Sequence, residues 1–417
     1  MTGNFRLKIA MDEHRFTQRE LAKVVNDELQ EAGERDSVGE RTVRTWLTGK
    51  SRWPHRAKRD ALEAVFRCTV EDLGFYPPGS PAPPQETADV IRRRFLTDIG
   101  GTAAAVSLIA ARPSVGTSDV IRLRNGMDSL TRLDQARGGH AALERAALAG
   151  AREAVGLQAK SATQRVRLRL FSIAAHYTAA AAWSCIDARQ LGRAQSHLDE
   201  ALRLAGMGQD PVAQMRVWNA TAILSHQLGD AGAGLAAAQA AQTTAITRRD
   251  PLFGSLAHAR TAIGHAQSGD RRAATRSLGY AEEALSKAHR DEPRPEWIAF
   301  YGAAELYALS GIVQLRLNQP AQAEAATHRA LAALPREYRR NRAMTTVDLA
   351  LAQLHQGDVE QACATTEDVF GLMSGSPLPG RLRVLLGDFY RDLLTLAPSA
   401  RATREWADHY RSEWSPA

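Results

Sequence analysis

The sequence predicts an all-α protein: a small N-terminal helical domain followed by an α-solenoid of helix pairs. Three observations carry this. Alanine is abundant and runs of β-branched residues are few, while aromatic residues make up only 6% of the chain, a composition that favours helix over sheet. Apolar residues recur at helical rather than alternating spacing along most of the chain. A short turn followed by an Ala-rich helix then returns around positions 192, 229, 269, 318 and 357, at intervals of 37, 40, 49 and 39 residues. At 417 residues the chain has room for two or three domains, and we place them at 1–76, 77–116 and 117–417. The net charge of +7 is a mild bias toward polyanions. Cys68, Cys185 and Cys363 are distant and odd in number, which fits a reduced, cytoplasmic protein without a disulfide framework. Met1 to Ala10 is too polar for a signal peptide.

In the first domain, Phe5, Leu7, Ile9 and Ala10 predict a helix ending near His14. Thr17-Gln18-Arg19-Glu20 is a capping box, and Leu21, Ala22, Val24 and Val25 continue from it through Leu29. Glu31 to Ser37, with Gly33, is the expected turn. In the next segment Val43, Trp46 and Leu47 fall at i, i+3 and i+4, so one face buries apolar side chains and the other carries Glu40, Arg41, Arg44 and Thr45. Gly49 stops that helix. From Ser37 to Arg59 there are seven Lys or Arg against the single acid Glu40, the charge pattern that contact with a nucleic-acid backbone requires. Arg56 to Phe66 predicts a further helix, and Leu73 to Tyr76 closes the unit.

Thr17, Gln18, Leu21, Ala22, Thr42, Val43, Trp46 and Gly49 together resemble the helix-turn-helix pattern of the Xre or lambda-repressor family. The segment from Asn26 to Ser37 is longer than that family's usual tight turn. The resemblance implies that Thr17 and Gln18 touch a phosphate. It implies that Glu40, Arg41, Arg44 and Thr45 face base edges in the major groove, with Arg41 or Arg44 bidentate to guanine, and that Lys50 and Arg52 grip the flanking backbone.

Pro77-Pro78-Gly79-Ser80-Pro81-Ala82-Pro83-Pro84 predicts an extended spacer. Arg92-Arg93-Arg94-Phe95-Leu96 and the apolar run Thr102 to Ala111 superficially resemble a twin-arginine export signal. They lie about ninety residues inside the chain, and the run is shorter than the roughly 20 residues a membrane span needs. A buried helix seating the linker is expected instead.

Asp119 to Ala136 and the stretch after Gly138-Gly139 to Leu157 predict a leading helical pair. The 49-residue interval further on contains Asp291-Glu292-Pro293-Arg294-Pro295, a loop insertion. Trp218 stands eleven positions before Gly229, Gly311 seven before Asn318, and Ala274, Ala323 and Ala362 each five after their turn position. In these places the chain resembles tetratricopeptide repeats, while Ala238, Leu278, Thr327 and Thr366 stand where that repeat has an aromatic. Arg381 to Trp414 is expected to cap the stack. The resemblance implies a concave surface for peptides or partner helices, lined by Arg216, Asn219, Ile223 and His226, then Ile263 and Gln267, Ile312 and Arg316, and Val347 and Leu351. Of these, Arg216, Asn219, Ile223, His226, Gln267 and Arg316 are the candidate ligand-binding residues.

No phosphate-binding loop, zinc-protease motif, nucleophile elbow or dinucleotide fingerprint is present, and no His, Cys, Asp or Glu cluster has metal-ligand spacing. No catalytic residue, metal or cofactor is expected, and the protein is not expected to be an enzyme. The arrangement resembles actinobacterial transcription regulators and, more distantly, peptide-pheromone-sensing regulators. It implies a cytoplasmic homodimer that binds a double-stranded DNA operator and responds to a peptide, small-molecule or protein signal, without a membrane partner. The alternative is a protein-interaction scaffold whose N-terminal domain assists docking.

Overall fold

The structure, a computed structural model, describes residues 4, 7–8, 10–11, 16–31, 34, 36–51, 53–66, 70–71, 73–77, 115–137, 141–289, 291–374 and 378–414. The end of the helix expected near His14, and the spacer, Arg92–Leu96 and apolar segments expected between 78 and 114, lie outside the described residues. No β-strand occurs among the described residues, and none of their helices is long and apolar enough to cross a membrane. The chain divides into two compact units, residues 1–110 with 289–298, and 111–288 with 299–417.

In the first unit, α1 (Gln18–Glu31) begins at the predicted capping box. The Glu20 amide donates to Thr17 Oγ1 at 3.2 Å, and the Thr17 amide donates to Glu20 Oε2 at 2.7 Å. Two backbone donors that the first turn leaves open are thereby satisfied. Leu21, Val25 and Leu29 recur every fourth residue and are buried together with Leu7, Val43, Trp46, Leu62, Phe66 and Phe75. α2 (Glu40–Leu47) and α3 (Arg56–Phe66) complete the unit. Trp46 is 1% exposed and meets Phe75 edge-on at 6.1 Å, so one large side chain fixes α2 on the core. Gly49, at φ +70°, takes the chain out of α2.

The second unit opens with α4 (Thr117–Arg137) and α5 (Ala141–Gly156), followed by a 3₁₀ turn, Leu157–Ala159. Six antiparallel pairs follow: α6 (Gln164–Asp187) with α7 (Leu191–Gly208), α8 (Pro211–Leu228) with α9 (Ala231–Thr243), and, after the short α10 (Ala245–Arg249), α11 (Pro251–Gln267) with α12 (Arg271–Ser286). α13 (Ala303–Arg316) pairs with α14 (Pro320–Ala333), α15 (Arg339–Leu354) with α16 (Val359–Met373), and α17 (Gly380–Leu396) with α18 (Arg401–Trp414). The segment expected only to cap the stack is thus a pair of its own, with Leu382, Leu386, Phe389 and Leu393 fully buried and Trp406 packed against Phe389.

One device makes the turns inside the first five pairs. Arg189, Gly229, Gly269, Asn318 and Gly357 are left-handed, at φ 62°, 80°, 77°, 55° and 89°. At Gly229 the amide donates to the His226 carbonyl and the Asp230 amide to that of Ser225, and the same two bonds recur at the other four turns. This is the Schellman closure of a helix end. Asp230, Asp270 and Asp358 then cap the second helix through their side chains, so Gly-Asp ends one helix and starts the next. The first turn corrects the sequence reading: Gly192 lies inside α7 and Arg189 is the left-handed residue, 40 before Gly229. A glycine is the visible mark of such a turn, but the backbone hydrogen bonds set it, and here they fall on an arginine.

Small residues let the helices approach. Ala274, Ala323 and Ala362 are fully buried at their predicted places, and a Cβ on Gly311 would lie 2.6 Å from Thr327 Cγ2. The first helices of the pairs, α6, α8, α11, α13, α15 and α17, pack in succession, and α17 returns to α6. A Cβ on Gly380 would stand 2.8 Å from the carbonyl carbon of Ala188. The concave surface expected from the sequence is therefore the lining of a closed ring.

Candidate functional site

Two surfaces carry the predicted site residues. On α2, burial of Val43, Trp46 and Leu47 turns Glu40, Arg41 and Arg44 outward, all three exposed, with Thr45 half-buried and its hydroxyl donating to the Thr42 carbonyl at 2.8 Å. Lys50 is exposed just beyond the helix, while Arg52 lies outside the described residues. Thr17 is exposed at the start of α1 with Gln18 half-buried beside it. The long segment before α2 is braced: Asn26 Nδ2 donates to the Val38 carbonyl at 2.9 Å, and the Val38 amide donates to Asn26 Oδ1 at 2.7 Å. Neighbouring cations are partly committed, Lys58 to Asp36 at 3.0 Å and Arg59 over the Trp53 ring at 4.4 Å. Arg41, Arg44 and Lys50 have no ion pair among the described residues, so α2 presents uncommitted positive charge from a rigid base.

The second surface is the ring lining. Arg216 and Asn219 of α8 are buried there: Arg216 Nη1 donates to the His176 carbonyl at 3.1 Å, and Asn219 Oδ1 accepts from Arg260 Nε of α11 at 2.9 Å. Arg316, at the end of α13, is exposed. Two of the predicted ligand residues are placed otherwise. Ile223 is packed in the apolar core between α6, α7 and α8. His226 lies against α9, where a Cβ on Gly234 would be 3.1 Å from its Nδ1. Among the described residues neither buried His226 ring nitrogen makes a well-formed hydrogen bond, nor does Oε1 of the half-buried Gln267, whose side chain lies close enough to favour the protonated ring slightly. Burial, and then the charges of Arg316 and Arg260, push the His226 pKa down to about 3, so the ring is neutral. Of the apolar lining residues expected, Ile263, Val347 and Leu351 are buried and Ile312 is half-buried.

The structure adds lining residues that the sequence reading missed. Arg340 of α15 bonds Asp187 of α6 at 2.8 Å and lies 3.6 Å from Asp134 of α4. Arg381 of α17 lies 3.9 Å from Asp187 and over the Trp183 ring. Glu305 of α13 accepts from Asn341 at 3.4 Å. Asp348 of α15 is 8% exposed, and burial raises its pKa to about 7 against the opposing pull of Arg316 and Arg381. The available signal was a charge inside an apolar run, as in Val347-Asp348-Leu349.

Glu144, Cys185 and His197, from α5, α6 and α7, also meet, with ligand atoms within 4.8 Å of one another. Sequence spacing gave no sign of this, because the three residues come from separate helices. Arg193 Nη2 and His197 Nε2 both reach Glu144 Oε1, at 2.6 and 2.9 Å, and burial, then the Glu144 carboxylate, push the Cys185 thiol up to about 12. A neutral thiol and an arginine-paired carboxylate suit a structural ion pair better than a metal. A groove of about 690 Å³ over α14, α15 and α16 is edged by Arg339 and Arg342. Both cap carbonyls, of Leu372 and Ser374 and of Leu331 and Leu334.

No protein-family model and no curated protein matches the chain. Among solved structures it is similar to a thermophilic TPR protein of Thermus thermophilus, at 22% identity and a TM-score of 0.29, over 53% of this chain and 96% of that one.

Proposed function

We propose that the protein is a DNA-binding transcription regulator whose helix-pair ring senses a signal and joins two copies of the chain. The observation that carries this is α2: a helix held by Trp46 whose outward face offers Arg41 and Arg44 without ion-pair partners among the described residues, preceded by a capped α1 and the Asn26–Val38 brace. Side chains of this kind reach guanine edges, while Thr17, Gln18, Lys50 and Arg52 suit phosphates. A dimer reads a two-fold symmetric site. The purified protein is tested by selecting fragments of its own genome, with Arg41→Ala/Arg44→Ala alongside. Enrichment of a symmetric site by the wild type alone is expected, with binding that weakens steeply with salt. Equal recovery by both proteins sinks the reading.

A second reading has its own observation. Helix pairs make up most of the described chain, and arrays of this kind serve as protein-interaction scaffolds. On that reading a partner binds the array, and Arg41→Ala/Arg44→Ala leaves its retention unchanged.

A further inference from the structure

The groove of about 690 Å³ over α14, α15 and α16 is apart from the ring lining, because its walls are the second helices of two successive pairs. Thr346, Leu349 and Gln353 of α15 form its floor, and Leu331 of α14 and Leu372 of α16 edge it. α14 and α16 both end where α15 begins, and there Arg336, Arg339 and Arg342 meet against a single lining acid, Asp368. Two of these arginines are held in place. Arg339 donates from Nε to the Leu372 carbonyl at 2.8 Å and from Nη2 to that of Ser374 at 3.1 Å. Arg342 Nη1 donates to the Leu331 and Leu334 carbonyls, both at 2.9 Å. A guanidinium has five N–H donors, so each keeps donors uncommitted among the described residues on an anchored side chain. Capping does not account for Arg336, which is exposed and makes no side-chain hydrogen bond or ion pair among the described residues.

The floor is the second observation. Thr346, Gln353 and Thr365 are polar yet only 6%, 5% and 6% exposed, where packed helices normally set apolar side chains. Thr365 Oγ1 donates to Gln353 Oε1 at 2.7 Å and accepts from Gln361 Nε2 at 3.3 Å. Gln361 is exposed, and that bond leaves its Oε1 and its second N–H uncommitted among the described residues. A side-chain amide of this kind matches the donor and acceptor of one peptide group. From Arg339 to Gln353 α15 rises about 21 Å, the span of about six residues of extended chain. A lone inorganic anion would occupy the arginine end and leave the rest of the groove unused. In an extended peptide alternate side chains share one face, so an acid at the arginines is followed, two positions on, by a side chain over Leu331, Leu349 and Leu372.

We propose that this groove binds a short acidic peptide segment in extended conformation. Its carboxylate is held by Arg336, Arg339 and Arg342, and a peptide group further along by the Gln361 amide.

The test uses the full chain, immobilised, with pooled and terminally blocked hexapeptides that carry one Asp or Glu two positions from a Leu, in either order. A pool with Asn or Gln in place of the acid is the neutral control, and acetate and inorganic phosphate are the small-anion controls. Affinities of retained peptides are measured by calorimetry on wild type, R336E, Q361A and R383E, the last making the same charge change at an exposed position of α17. Retention of acidic peptides alone is expected, weakened at least tenfold in R336E and about fivefold in Q361A, and unchanged in R383E. Arg336 and Gln361 are exposed, so the unliganded variants are expected to melt with wild type. No acidic peptide retained above the neutral pool, affinity unchanged in R336E, an equal loss in R383E, or phosphate bound as tightly as peptide overturns the inference. So does a wild-type dimer that R336E dissociates in sedimentation, which would make the groove a contact between copies. The readout is separate from the operator selection: peptide bound without any operator leaves this site standing, and an operator without bound peptide removes it.

Discussion

Asp348 occupies the middle of α15 between two apolar residues, so folding drags its carboxyl out of water whether or not a partner is present. Its pKa rises from 3.8 to about 7. Between those values the folded protein holds a proton that the unfolded chain has released, so this group makes stability fall as pH rises from about 4 to about 7 and leaves it flat above. Asp348→Asn removes the charging cost, and urea denaturation at pH 8 is expected to show the variant more stable than wild type by up to about 4 kcal/mol, the gap closing toward pH 4. His226 works in the opposite sense. Its folded pKa of about 3 against 6.5 means that the unfolded chain takes up the proton first, so stability is gained as pH rises from about 3 to about 6.5. His226→Gln is expected to flatten that limb, and an unchanged acid limb would show that the ring nitrogens are solvated.

The elements of the second unit are joined by left-handed residues, and the cost of each depends on its side chain. Gly229 adopts φ 80° without strain, whereas a Cβ there is disfavoured although no atom lies within 4 Å of it. Gly229→Ala is therefore expected to cost about 1 kcal/mol through the backbone alone. Gln209, which ends α7 at φ 51°, is the converse case. Gln209→Gly is expected to stabilise by about 0.5–1 kcal/mol. Chemical denaturation of both variants checks the pair, and a change of the same sign in the two would contradict the assignment.

At the scale of the whole second unit, the ring is closed where α17 meets α6. The contact depends on Gly380, and a larger side chain meets the Ala188 carbonyl. Gly380→Val is expected to lift α17 from α6 and raise the radius of gyration in small-angle scattering, whereas Gly387→Ala, where nothing approaches closer than 3.9 Å, leaves it unchanged. Arg340 secures the same junction from α15. Asp187 is fully buried and Arg340 is its shorter ion-pair partner, with Arg381 at 3.9 Å, so Arg340→Ala removes much of the compensation of a buried charge and is expected to cost about 3 kcal/mol. A radius unaffected by either Gly380→Val or Arg340→Ala would mean that the ring is not held shut at this junction.

Local features could be read directly from the residues. The Thr17–Glu20 capping box, the Val43–Trp46–Leu47 face, the Gly-Asp turns and the small residues at 274, 311, 323 and 362 were legible, because caps, helical periodicity and left-handed glycines depend on residues a few positions apart. Arg189 escaped notice because its turn is made by backbone bonds and carries no glycine. Closure of the ring was not legible, since it joins residues as distant as Asp187 and Arg340, 153 apart. With closure went the character of the lining: Asn219 meeting Arg260, Asp348 buried in the middle of α15, and Ile223 and His226 turned into the packing. Which face of a helix looks inward is settled when the array comes round on itself, because a shift of one residue rotates a side chain by about 100° and periodicity alone does not fix that register.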